Sequence, residues 1–182
     1  RPRVRGLRRG LDALYLVGGI AGAVAIVTIG VLVLAQVTLR QLGMIIPGGD
    51  DLTAFSVAAS AMLPLAYAFR HRAHIRVDLI IGRTSGGTRR GMEIAALTCA
   101  AAMAALFAFS SFDTMLDSWE FEEVAQGMLA VPIWMPQIAM VVGTALFALA
   151  LLDDLVVILT GGTPSYRQHE PTSAVEKAMQ EL

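Results

Sequence analysis

The chain has 182 residues, of which 55% are hydrophobic and 16% are charged, and its mean hydropathy is +0.63. This composition excludes an ordinary soluble fold, which needs more charge and fewer apolar residues. A bilayer span uses about 20 apolar residues, so four spans would leave roughly 100 positions for loops and tails. The single cysteine excludes intramolecular disulfides and cysteine-ligated zinc or iron–sulfur centres, which need several thiolates.

Four apolar runs predict four transmembrane helices, because each is about as long as a bilayer crossing requires. The first run contains no charged residue. The second contains Pro64, which a membrane helix accommodates with a kink. The fourth stops at the acidic pair Asp153-Asp154. The predicted spans cover residues 13–37, 52–69, 94–112 and 133–152.

The fold class that these runs predict is an all-α integral membrane protein with four transmembrane helices. Residues 11–160 form the predicted transmembrane domain, preceded by a basic tail over 1–10 and followed by a second tail over 161–182. An even number of spans places both tails and the second loop on one side, which holds all but one of the 14 lysines and arginines. The positive-inside rule therefore predicts that both termini are cytoplasmic.

The apolar runs contain no Lys, Arg, Asp, Glu or His. Such groups inside the membrane usually mark proton relays and ion pathways, so their absence favours an accessory subunit over a complete pump. The chain also lacks the phosphate-binding glycine loop of an ATPase, since Ser85-Gly86-Gly87 is not followed by lysine. We therefore predict no enzymatic activity, no catalytic residue, no metal and no cofactor.

Small residues at four-residue intervals predict close helix packing. This spacing places them on one helical face, where they let neighbouring backbones approach in lipid. The pattern fits packing within the chain and packing against a partner. The predicted packing positions are Gly18 and Gly22 in the first span and Ala96, Ala100, Ala104 and Ala108 in the third.

The third loop carries five acids and no base, with aromatic residues among them. Nothing from Asp113 to Gln126 breaks a helix before Gly127, so span three is expected to continue as a projecting helix. The loop is either a solvated segment or a docking surface for an extracytoplasmic protein. The candidate docking residues are Asp113, Asp117, Trp119, Glu120, Glu122 and Glu123.

A motif follows the second span, where Arg70 precedes the segment His74-Ile75-Arg76-Val77-Asp78. If this segment is helical, His74 and Asp78 lie one turn apart and can pair, so we interpret it as a structural hinge. Metal binding by His71 and His74 is disfavoured because arginines surround them. The motif residues are Arg70, His74, Ile75, Val77 and Asp78.

A second motif, Gly127 followed by Val131-Pro132-Ile133-Trp134, opens the last span. With these two motifs, its length and its four spans, the chain resembles the small membrane subunit of tripartite ATP-independent periplasmic (TRAP) transporters, the DctQ-like family. The resemblance covers roughly residues 10–160.

The resemblance implies a cation-coupled secondary uptake system of three proteins in the bacterial inner membrane. A periplasmic solute-binding protein would capture an organic anion, and a large DctM-like permease subunit would carry substrate and sodium. The small subunit would be a non-catalytic scaffold that helps to dock the binding protein. Its expected partners are these two proteins and membrane lipids, with no nucleic acid.

Two other classes remain as alternatives. A four-helix membrane anchor of a redox complex would hold a b-type haem through histidines inside the spans, whereas His71, His74 and His169 all fall outside the apolar runs. A small membrane enzyme would need ionisable groups facing a membrane cavity, for which Asp12 and Glu93 are the nearest candidates.

Overall fold

The computed structural model describes residues 2–71, 87–127 and 130–162. This part of the chain is almost entirely helical, and four of its stretches are long and apolar enough to cross a membrane: Gly10–Gln41, Gly49–Arg70, Arg90–Glu120 and Trp134–Leu159. The predicted all-α class is therefore confirmed, as are four helices long and apolar enough to span a membrane. The helices are α1 (Pro2–Gln41), α2 (Gly49–Met62), α3 (Leu65–Arg70), α4 (Gly87–Glu120) and α5 (Trp134–Leu159).

The helices extend beyond the apolar runs that predicted them. The fourth run stops at Asp153-Asp154, but α5 continues to Leu159 and includes both acids. A pair of charges does not end a helix, because backbone hydrogen bonding continues past it. The helix ends where Gly161 adopts a left-handed conformation with φ of 81°.

Span three continues as a helix beyond residue 112, as expected, but α4 ends at Glu120 and does not reach Gln126. Glu122 takes a left-handed conformation with φ of 49° and turns the chain. The backbone N–H of Glu122 donates to Trp119 O at 3.3 Å, and that of Glu123 donates to Ser118 O at 3.1 Å. These bonds satisfy two carbonyl groups at the end of α4. The sequence did not predict this helix end, because the residue in the left-handed conformation is a glutamate and not a glycine.

The second span is broken at Pro64, which separates α2 from α3. Glycines of two neighbouring helices face this break. A Cβ at Gly18 would lie 2.7 Å from the Leu63 carbonyl oxygen, and one at Gly22 would lie 2.7 Å from the proline ring. Gly143 of α5 faces the same backbone from the other side. The kinked segment therefore fits between α1 and α5 because these positions have no side chain.

The spans form an open row in which α5 has the most neighbours. Helix α4 packs along one side of α5, α2 and α3 pack on another, and α1 packs mainly on α2 and α3. Within an apolar stretch of each span, 50% of the residues of α5 are buried, against 17% in α1, 11% in the span formed by α2 and α3, and 22% in α4. Long apolar faces of α1 and α4 are therefore left uncovered by the other residues that the structure describes.

Candidate functional site

Charged side chains meet at one end of the row, which we call the basic end. Arg70, the last residue of α3, places Nη2 3.1 Å from Asp12 Oδ1 and Nη1 3.4 Å from Asp153 Oδ2. A guanidinium suits this task because its planar fork offers donors in two directions at once. Arg70 therefore links α1, α3 and α5 through a single side chain.

An aromatic ring supports the Arg70 guanidinium. Its central carbon lies 5.1 Å from the centroid of the Tyr15 ring, within the range of a cation–π interaction. Tyr15 is only 2% exposed, and the side chain of Arg70 is 16% exposed. The side chain of Asp153 is 22% exposed and that of Asp12 is 56% exposed, so the attraction between Arg70 and Asp153 is screened less than at an open surface, whereas Asp12 remains in contact with water.

Helices α4 and α5 are joined at the same end. Arg90 Nη2 donates to the Ile158 carbonyl oxygen at 2.9 Å. Glu93, one turn further along α4, and Asp154, one turn before Ile158, are both buried. From the sequence alone, Glu93 is recognisable only as an ionisable residue at a helix end and Asp154 only as the end of a span. In the sequence, this cluster is indicated by the acidic pair Asp153-Asp154, which follows the fourth apolar run on the same side as most of the arginines.

Only Arg70 of the first family motif can be placed, because His74, Ile75, Val77 and Asp78 lie outside the described residues. His71 stacks on Tyr67 with ring centroids 4.0 Å apart. Its Nδ1 lies 2.9 Å from Tyr67 O and must be the donor, since a carbonyl only accepts. Within the part of the chain that the structure describes, no three His, Cys, Asp or Glu side chains are grouped to hold a metal ion.

At the opposite end, which we call the acidic end, a polar network fixes the loop between α4 and α5. Ser118 Oγ donates to Glu123 Oε2 at 2.8 Å and accepts from Gln137 Nε2 at 3.1 Å. The loop also closes on itself through an antiparallel bridge between Val124 and Pro132. The end of α4, the described part of the loop and the start of α5 are thereby held in one arrangement.

An open groove lies beside this network. The rings of Trp119 and Trp134 are 4.8 Å apart and tilted by 57° to each other. Together with Glu122, Val124 and Pro132 they line a groove of about 420 Å³, which we call the aromatic groove. Two indole rings beside a carboxylate can accommodate a cation that also carries an apolar stem.

The candidate docking residues of the third loop are all exposed at the acidic end. Glu123 is the one among them that the polar network engages through Ser118. Gly127, which opens the second family motif, packs against the carboxylate of Asp51 at the start of α2. A side chain at Gly127 would collide with that carboxylate, so the glycine allows the loop to reach α2.

The predicted alanine stripe on α4 lies along one edge of the surface that packs on α5. Ala104 is buried, Ala100 and Ala108 are half-buried, and Ala96 is exposed. The buried face itself is centred on Leu97 and Ala101. Spacing alone did not identify these two residues, since they stand outside the four-residue register of the alanines.

Four membrane-spanning helices with charge clusters at both ends define a small multi-pass membrane protein. The chain belongs to the family of tripartite ATP-independent periplasmic transporters, DctQ component, whose family model matches residues 29–161. It is therefore a small membrane subunit of a TRAP transporter, which confirms the resemblance seen in the sequence. Membership and the four spans together support a multi-pass protein of the inner membrane. A comparison with curated proteins found no match.

The family match includes both ends of the row. It covers Arg70 and Asp153 at the basic end and the whole loop with the aromatic groove at the acidic end. It begins within α1, beyond Asp12 and Tyr15. The family assignment thus does not depend on the residues of α1 that surround Arg70.

Proposed function

We propose that this chain is the non-catalytic scaffold of its transporter. It would hold the large DctM-like permease subunit and help to dock the periplasmic solute-binding protein. The large subunit would carry the organic anion and the coupling cation. The observation that carries the proposal is the distribution of charge along the spans. No Asp, Glu, Lys, Arg or His occurs between Asp12 and Arg40, between Asp51 and Arg70, between Glu93 and Asp113, or in α5 before Asp153.

This distribution favours a scaffold role over ion transport, because a coupled cation needs polar or ionisable ligands along its path. The charges that the chain does carry lie at the two ends, and Arg70 is engaged by two acids that join helices. Ion coupling is therefore assigned to the large subunit. The scaffold role is further supported by the apolar faces of α1 and α4, which offer surface to a membrane partner.

We further propose that both termini are cytoplasmic and that the acidic end faces the periplasm. The support is the strong excess of arginine in the tails and the second loop. In this orientation, the exposed acids between Asp113 and Glu123 face the compartment of the solute-binding protein. The loop would then attract a binding protein that has a basic surface.

The docking role is tested by reversing charge at exposed positions that do not hold the loop together. Asp117→Lys combined with Glu120→Lys should raise the half-saturating concentration of binding protein in proteoliposome uptake by about tenfold or more, because like charges oppose encounter. The matched control, Asp117→Glu with Glu120→Asp, preserves charge and should behave like the wild type. Both variants should still co-purify with the large subunit. An unchanged uptake curve for the double lysine variant would refute docking at this loop.

A further inference from the structure

We propose that the aromatic groove receives a lysine or arginine side chain of the solute-binding protein. This inference rests on the proposed docking function and specifies the residues that would recognise the partner. Trp119 and Trp134 would contact the stem and the charged head of that side chain, and Glu122 would pair with the charge. The remaining acids of the loop would guide encounter without touching this side chain.

The shape and exposure of the groove support this assignment. Trp119 is 61% exposed although it is among the largest apolar side chains of the chain. Its ring and that of Trp134 form adjoining walls, and Glu122 belongs to the same lining. Exposed aromatic side chains of this kind are enriched where proteins bind one another, because they bury much surface at little entropic cost.

Charge complementarity indicates the chemistry of the occupant. Five exposed acids lie between residues 113 and 123, and no lysine or arginine occurs from Gly91 through Asp154. An anionic or purely apolar ligand would gain nothing from this potential. A cationic side chain gains from the carboxylate of Glu122 and from the faces of the indole rings, and its apolar stem fits the groove wall.

The level of the groove favours a water-soluble partner over a lipid. Glu93 and Asp113 bound the uncharged part of α4, and the 20-residue step between them corresponds to about 30 Å of helix, the thickness of the hydrocarbon core. Trp119 lies six residues further along α4, about 9 Å beyond Asp113. Each headgroup layer is only about 5–7 Å thick, so the groove opens at its outer boundary.

The groove is also fixed before any partner arrives. Ser118 holds Glu123 and Gln137, and the bridge between Val124 and Pro132 closes the loop. These contacts come from residues on both sides of Trp119 and Trp134. A preorganised site loses less conformational entropy on binding, which favours recognition of one projecting side chain.

The test compares two groove variants with two neighbours of the same type. Trp119→Leu and Glu122→Gln alter the groove, whereas Phe121→Leu and Glu120→Gln alter exposed residues that do not line it. Each variant is purified as a complex with the large subunit, placed in nanodiscs, and titrated with the solute-binding protein. Trp119→Leu should weaken binding by about fivefold to thirtyfold, and Glu122→Gln should weaken it by about twofold to fivefold. Phe121→Leu should change binding less than twofold, and Glu120→Gln, which neutralises one docking acid but does not line the groove, should weaken binding clearly less than Glu122→Gln does.

The outcomes separate this proposal from the docking function. Equal effects of Glu120→Gln and Glu122→Gln, or wild-type binding by both groove variants, would overturn the groove while leaving a general acidic docking surface in place. Groove variants could also bind the solute-binding protein normally but show an altered difference in uptake between phosphatidylethanolamine and phosphatidylcholine vesicles. That result would indicate a lipid occupant and would also overturn the proposal for the groove. If Asp117→Lys with Glu120→Lys has no effect either, the docking function itself fails.

Discussion

Arg70 shows how much of this structure depends on individual side chains. Its guanidinium contacts acids on α1 and α5 and lies over the ring of Tyr15. Isolated surface ion pairs contribute little to stability, but Arg70 and Asp153 are both partly buried, and the two pairs of Arg70 join three helices. Removing the cation would leave the carboxylate of Asp153 in a poorly solvated position.

At the residue scale, we predict that Arg70→Gln destabilises the protein by about 1–3 kcal/mol, since it leaves a partly buried acid without its cation. Arg70→Lys should be intermediate, because an ammonium cannot reach two acids as a planar fork does. Thermal unfolding in detergent measures both, and a loss of about 2–9 °C in Tm is expected for Gln.

The control is Arg40→Gln, which removes an exposed arginine from the last turn of α1. Its effect should stay within about 0.5 kcal/mol, as for most surface substitutions. If Arg70→Gln and Arg40→Gln unfold at the same temperature, Arg70 does not hold the three helices together.

At the scale of the element, three helices end with the same hydrogen-bonded cap. In α1, α4 and α5 the residue in the left-handed conformation is Gly43, Glu122 and Gly161, with φ of 74°, 49° and 81°. In each cap, this residue donates its N–H to a carbonyl three positions back, and the next residue donates to one five positions back. Glu122 is thus the exception at a position that glycine occupies in the other two.

We predict that Glu122→Gly stabilises the protein by about 0.5–1 kcal/mol, because glycine adopts this conformation without a Cβ penalty. The same variant should weaken docking, since it removes the carboxylate from the aromatic groove. Thermal unfolding and binding-protein titration are to be measured on one preparation.

Glu122→Ala is the matched control, because it removes the carboxylate but keeps the Cβ. It should show the docking defect without the gain in stability. A glycine variant that unfolds at or below the temperature of the alanine variant would contradict the cap account.

The contrast between these elements explains what the sequence could predict. Apolar runs located all four spans, because a bilayer imposes a minimum length that composition reveals directly. The end of α4 was missed because it depends on the conformation of Glu122, a residue type that gives no such signal. The motif identified Arg70, but its partners Asp12 and Asp153 are distant in sequence and meet only through the packing of three helices.

The packing glycines illustrate the same limit. Their spacing predicted close approach, but the partner could not be derived from it. Gly18 and Gly22 face the break at Pro64, and Gly143 faces it from α5. The sequence shows both Pro64 and these glycines, but only the arrangement of the helices shows that the glycines pack against the kink.

At the scale of the whole molecule, the main feature is that the row of helices is open. Helix α5 is well covered within the chain, whereas α1 and α4 expose long apolar faces. A chain that transported by itself would be expected to enclose a polar pathway among its helices. An open apolar row with its charges at the two ends instead suits a subunit that completes its packing against a larger membrane protein.

The most direct test of the scaffold account is co-expression with the large permease subunit of the same transporter, followed by affinity purification through a tag on this chain. Size-exclusion chromatography with light scattering then measures the mass of the purified particle. The account predicts a stoichiometric complex that persists in mild detergent and supports uptake only when both subunits are present. A well-folded monomer of this chain, with the large subunit recovered separately and active in transport alone, would contradict it.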